Sequence, residues 1–412
     1  MNLTAGYAQD VITPTLDRPV YLAGFGRNRR AVDVHDDLYV RALALSSETQ
    51  RIALVALDLI GLARHHCQEI ERRVASMVGR TDVIVACTHT HHGPDTIGLW
   101  GPDESTSGVD PEYLAMVKTR IIQTILAAFR SAAPLESVKS THAPAPGVVQ
   151  NFRNPTIVDD DLTCIQFHVA GERALATLLI FPCHPEVLWD DNPYITSDYV
   201  HSLRQCMEEV SAAPCLVFVG ALGGMLSPLV EERTFVAADH MGRIIAQAGH
   251  AALNAVFSSR DVSFSIARAE FAIPMTNPLF IMAMERGLLP NILDDNSEVL
   301  TETTLIAIGD VWLATNPGEL LPRLGLMAKR ALIDAGARVP AIIGLANDEL
   351  GYILPADEFI FPDDPFNPGD HYEESMSIGA AAGPAWQNAL ETLIRSLRTS
   401  HSSNYIEGES NV

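Results

Sequence analysis

The chain has 412 residues, of which 47% are hydrophobic and 19% charged, and 28 Lys plus Arg face 51 Asp plus Glu for a formal charge of −23. This much apolar material suffices for a large buried core and excludes intrinsic disorder over most of the length. So acidic a surface repels phosphate backbones and anionic headgroups, which disfavours nucleic acid and ordinary membrane docking.

The six cysteines form no CxxC pair and mostly sit in apolar runs, the pattern of buried free thiols in a reducing compartment. The first residues show no basic-then-apolar leader, and no apolar run reaches the ~18 residues of a membrane helix. The expectation is a cytoplasmic protein without stable membrane insertion; homo-oligomerisation stays open.

Residues 51–59 and 82–87 are short, branched and almost unbroken in apolarity, which predicts buried strands, with helical spacing over 63–78 between them. A second helix is predicted over 111–133, opened by Asp110 as N-cap. Residues 162–168 and 174–181 read as a strand pair, and 199–210 as a helix with Thr196, Ser197 and Asp198 available as caps. A strand at 216–220 and a helix at 237–257 follow, then strands at 262–273 and two more within 304–315. A helix at 319–335, a strand at 341–345 and a last helix at 383–399 complete the pattern. Interleaving of this kind predicts an α/β fold, a layered mixed β-sheet core flanked by helices, spanning 1–399 with a disordered polar tail at 400–412. Only 274–297 breaks the alternation, and it reads either as a core helix or as a flap over a substrate pocket.

Five segments carry chemistry. In Cys87-Thr-His-Thr-His-His-Gly-Pro94, side chains two apart on an extended chain share a face, so His89 and His91 point together while His92 faces away. Two such imidazoles at a strand end suit a metal, or a metal ligand beside a general base; the alternative is a His-rich surface turn. His184, in Phe-Pro-Cys-His-Pro, again ends an apolar run and reads alone as a structural residue or a ligand. Glu319 follows Asn-Pro-Gly at a predicted helix start, where an acid also suits the helix dipole. Tyr352 closes a polar exit from the 341–345 strand, where an aromatic is commonly core or rim. Gly223-Gly224-Met-Leu-Ser227-Pro228 is a glycine turn able to offer N–H groups to an oxyanion, with Ser227 as donor or nucleophile. It is neither GxSxG nor a phosphate loop.

Taken in order, these segments resemble the neutral ceramidase family of zinc-dependent N-acyl amide hydrolases. Further matching pieces are Gly6 to Pro14, Gly24, His35 to Ala42, Asp58, Asn151-Phe-Arg153-Asn-Pro and His371-Tyr372-Glu373, so the likeness spans roughly residues 3–395. The resemblance implies one zinc per chain on His89, His184, Glu319 and Tyr352, with His91 as acid/base. It also implies Arg153 and Tyr372 around the substrate carbonyl, and Ser227 as nucleophile or carbonyl contact. Gly223 and Gly224 are candidate carbonyl donors, and Asp58 either orients a ligand histidine from behind or caps backbone.

Three features depart from the family. Gly224 and Met225 stand where it has an Asp before Ser-Pro, and residues 361–369 stretch the spacing to Tyr372. The chain is expected to lack the family's C-terminal immunoglobulin-like domain and secretion signal. The implied reaction is attack of zinc-bound hydroxide on an amide. Because an acidic chain without a docking domain suits an anionic bilayer poorly, the expected substrate is a soluble amide such as an N-acyl amine or N-acyl amino acid. A metallo-esterase or lactonase, or a non-catalytic metal-binding protein, are the alternatives.

Overall fold

The computed structural model describes residues 3–408, with side chains through residue 397. Eight strands form one mixed sheet: β1 Thr4–Val11, β2 Tyr39–Ser46, β3 Arg51–Leu57, β4 Asp82–Cys87, β5 Ala133–Pro144, β6 Asp161–Val169, β7 Arg173–Phe181 and β8 Cys215–Val219. Their spatial order is β8-β7-β6-β5-β1-β2-β3-β4, with β3/β4 and β7/β8 parallel. A second sheet holds β9 Phe264–Pro274, β10 Glu298–Ile308, β11 Val311–Thr315 and β12 Val339–Ile343 in that order, β11/β12 being parallel.

The unbroken apolarity of β3 has a direct cause. Ala53, Val55 and Leu57 face helices Arg64–Val78 and Pro111–Arg130, while Ile52, Leu54 and Ala56 face the second sheet through Ile306, Leu313 and Ile343. A strand covered on both faces keeps no polar alternation. The second sheet buries its other face, through Leu305, Ala314 and Ile342, under Pro322–Ala335 and Ala382–Gly408, with Trp386 fully buried there. The result is helices, sheet, sheet, helices. The sequence pattern therefore identified a layered mixed α/β core, while the stacking of two sheets became visible only in three dimensions.

Several predicted boundaries move. The helix expected from 319 starts at Pro322, and Glu319–Leu320 instead pairs in parallel with Tyr352–Ile353. The dipole explanation of Glu319 falls with it. In 274–297 a short helix, Pro278–Glu285, is capped by Asn277 and packs Phe280, Ile281 and Met284 on the core. The last helix continues to Gly408, through part of the stretch expected to be a disordered tail; residues 409–412 lie outside the described residues. All six cysteines are free and buried. Among the described residues no helix is long and apolar enough to cross a membrane.

Strand ends of the two sheets are tied to each other. Gly344 N–H donates to Val219 O at 2.9 Å, and Cys87 N–H donates to Leu345 O at 3.2 Å. Asn347, with φ 61°, covers the open edge of β4: its amide accepts from Val85 N–H and donates to Val83 O, both at 2.8 Å, and also donates to Glu302. Such side-chain pairing satisfies the buried backbone of an edge strand. Asn347→Leu strands one donor and one acceptor, so chemical unfolding should show a loss of about 2–4 kcal/mol with an unchanged denaturant slope.

Candidate functional site

β4 ends at Cys87, and the chain then folds back instead of continuing extended. Thr88 and His89 N–H donate to Leu57 O and Leu59 O, and His89 takes a left-handed φ of 64°. Convergence of His89 and His91, with ring centroids 5.0 Å apart, therefore comes from this turn and not from strand alternation. His92 does face away, towards Asp198 and Arg29. After β7, both the backbone N–H and the Nδ1–H of His184 donate to Leu226 O, at 2.8 and 2.9 Å. His89 Nδ1 is tied likewise to Ile60 O at 2.7 Å.

Giving both Nδ1 protons to carbonyls leaves both Nε2 lone pairs aimed inward. They meet a carboxylate: Glu319 Oε2 lies 3.0 Å from His184 Nε2 and 3.5 Å from His89 Nε2. Three acceptors facing one buried point repel unless a proton or a cation lies between them. Burial alone would raise the Glu319 carboxyl, yet His89 and His184 hold it at about 2. Burial alone would lower His184, yet Glu186 and Glu319 lift it to about 9. A cation could take the place of that proton, so the donor chemistry fits a metal. His89, His91 and His184 have ligand atoms within 4.8 Å of one another and form a group able to hold one. Tyr352, the strand partner of Glu319, donates its hydroxyl to Met225 Sδ at 3.2 Å, and burial together with Glu319 keeps its phenol protonated.

A cavity of about 80 Å³ opens beside these groups, lined by His89, His91, Glu319, Tyr352 and Tyr372 and walled by apolar Ile97, Phe280 and Leu289. Gly24, with φ 100°, lies against His91 so closely that a Cβ there would sit 2.3 Å from the ring. Tyr372 is 43% exposed and stands edge-on to Tyr352 at 6.0 Å, bringing it into the site despite the 361–369 insert.

Four expected residues take other positions. Arg153 makes ion pairs with Glu373 at 3.0 Å and Glu374 at 2.8 Å and does not line the cavity; it anchors the short helix Tyr372–Ser375. Gly223 donates its N–H to Leu320 O at 2.9 Å, and a Cβ there would come within 2.5 Å of Glu319 O, so its smallness admits the Glu319 strand. Gly224, with φ 69°, turns the chain and accepts Arg153 N–H at 3.3 Å. Asp58 touches no histidine ring; it accepts from Tyr39 N–H, the Thr88 hydroxyl and Arg204, bracing the strand end one residue before His89.

Two carboxylates escaped the sequence reading. Glu186 receives the Ser227 hydroxyl on Oε1, and its Oε2 lies 3.2 Å from His91 Nδ1. Its signal was an acid two residues beyond His184, the same spacing that drew attention to His89 and His91. Glu349 lines the cavity, where burial and then Glu319 push its carboxyl well above the usual range.

No protein-family model and no curated protein sequence matches the chain. Solved structures do. A neutral ceramidase from Pseudomonas aeruginosa superposes with TM-score 0.77 at 16% identity, covering 97% of this chain and 75% of its own. A ceramidase complexed with C2 gives 0.79 at 15%, covering 97% and 76%. The fold is that of the neutral ceramidases. At this identity the likeness concerns architecture. Within the ceramidase fold, the buried acceptor cluster of this chain is placed by its own strand ends.

Metal uptake should displace the proton held at His184. Since that proton is bound below about 9, titrating zinc into the metal-free protein near pH 7 should release roughly one proton, with affinity rising with pH up to about 9. Calorimetry in buffers of different ionisation enthalpy measures it. Glu319→Ala should abolish uptake.

Proposed function

We propose that the chain is a zinc-dependent hydrolase that cleaves the amide bond of an N-acyl or other small secondary amide. The observation that carries this is the convergence of two imidazole Nε2 atoms and the Glu319 carboxylate on one buried point beside a cavity that His91 also lines. The amide class rests on the structural neighbours, which are ceramidases.

His89, His184 and Glu319, with Tyr352 as fourth ligand, would hold zinc, which when bound would supply Lewis acidity for the carbonyl and for the attacking water. His91 takes the proton of the attacking water and returns it to the amine, which leaves only when protonated. Tyr372 donates its hydroxyl to the carbonyl oxygen as charge grows there. Arg153 acts through Glu373 and Glu374, fixing the helix that presents Tyr372.

The cavity is small, and the adjoining cleft is apolar, with Met275, Met284, Ile292 and Ile378 along it. This favours a soluble amide with a compact apolar group, consistent with the acidic surface. The segment Pro278–Glu285 supplies part of the wall through Phe280.

Replacement of His91 separates the proton role from the ligand role. His91→Ala should lower kcat by on the order of 10²–10⁴-fold while about one zinc per chain remains, whereas His89→Ala should lose metal and activity together. Loss of zinc in the His91 variant would instead make the three histidines the ligand set. Paired amide and ester analogues decide the bond: turnover of esters with none of any amide would reassign the site to ester hydrolysis.

A further inference from the structure

We propose that Glu186 is a positioning residue that holds His91 and Ser227 together, and that Ser227 orients this carboxylate instead of attacking substrate. It rests on the amide-hydrolase reading above and adds a residue and a role to it. One carboxylate oxygen accepts the Ser227 hydroxyl; the other lies 3.2 Å from His91 Nδ1. Glu186 and Ser227 are each 1% exposed and His91 is 5% exposed. His91 Nδ1 and Glu186 Oε2 are both buried and neither has a hydrogen-bond partner among the described residues; at 3.2 Å each is the other's polar neighbour. Buried polar atoms in native proteins are usually matched, and a small rotation of either side chain would pair these two.

The surroundings hold Glu186 in place. The N–H groups of Val187 and Leu188 both donate to Asp198, at 3.1 Å, and Glu186 N–H donates to His184 O at 3.0 Å. Phe25 closes on the His91 ring edge-on at 4.7 Å. With Nδ1–H turned to Glu186, the Nε2 of His91 carries the lone pair, and the His91 ring lies 5.0 and 5.6 Å from the His89 and His184 rings. That tautomer is the one a base at this position needs, and the carboxylate offsets the charge when Nε2 gains a proton. The Ser227 proton, committed to Glu186, is not offered to a substrate carbonyl. Carboxylate orientation of a histidine is worth more to kcat than to KM, because the imidazolium forms only as the reaction proceeds.

The experiment uses the metal-loaded full chain and an amide that it hydrolyses. Glu186→Gln should lower kcat by on the order of 10²–10⁴-fold with KM within about twofold, while zinc content and unfolding midpoint stay those of the parent. Glu186→Asp should recover part of the rate. Ser227→Ala should cost less, roughly tenfold, and the double variant should be no slower than Glu186→Gln alone, because both act through one carboxylate. Wild-type kcat in Glu186→Gln overturns the proposal. So does a Ser227→Ala variant slower than Glu186→Gln, or an acyl-enzyme trapped on Ser227. If Glu186→Gln does not fold, Ser227→Ala carries the kinetic test by the same criteria. If no amide is turned over, the functional reading fails by itself; histidine ¹⁵N spectra of the metal-free protein then test the contact. They should show His91 protonated at Nδ1 in the parent and mixed tautomers in Glu186→Gln, and identical spectra would overturn it.

Discussion

A buried cluster of two imidazoles and a carboxylate, held together by a single proton, organises this molecule's functional end. His89 and His184 have spent their Nδ1 protons on the carbonyls of Ile60 and Leu226, and their Nε2 atoms face the Glu319 carboxylate, with a proton held at His184. In water such a cluster would separate. Here β4, β7 and β11 end beside one another, and each strand end delivers one of the three groups. The fold thus holds together a buried donor set of the kind that could take a cation in place of that proton.

The scaffold that supports it is the double sheet. Covering the large sheet on both faces turns β3 and β4 into continuous apolar runs, and the inter-sheet hydrogen bonds at Val219–Gly344 and Cys87–Leu345 lock the loops above them. Asp58 and Asn347 serve that scaffold. Asp58 pairs with the buried Arg204 and braces Thr88, and Asn347 completes the backbone of β4. Both are polar, buried and beside the site, so a sequence alone does not separate them from groups that act on substrate.

Legibility follows the range of the interaction. Strand apolarity, the Thr88–His91 run, the histidine after β7 and the order of the motifs are local, and each was readable. Tyr372, implied by the motif order, lines the cavity and stands against Tyr352. Long-range partners were not readable. Arg153 pairs with Glu373 and Glu374 some 220 residues away, and no periodicity announces that. Glu319 looked like a helix-starting acid until its pairing with Tyr352 was seen. Glu186 lies beside His184 in sequence, but its value comes from Ser227, 41 residues on, and from His91.

By itself, then, the sequence determined a layered α/β chain with imidazoles, a carboxylate and a phenol at the ends of its apolar runs. It could do so because hydrophobic period and turn chemistry act over a few residues. Tertiary structure decided which of these groups face one another, that Gly223 gives its N–H to Leu320 O and makes room for the Glu319 strand, and that Asp58 accepts from Tyr39, Thr88 and Arg204. Those outcomes depend on distances between segments far apart in the chain, set by how two sheets pack and not by any local pattern.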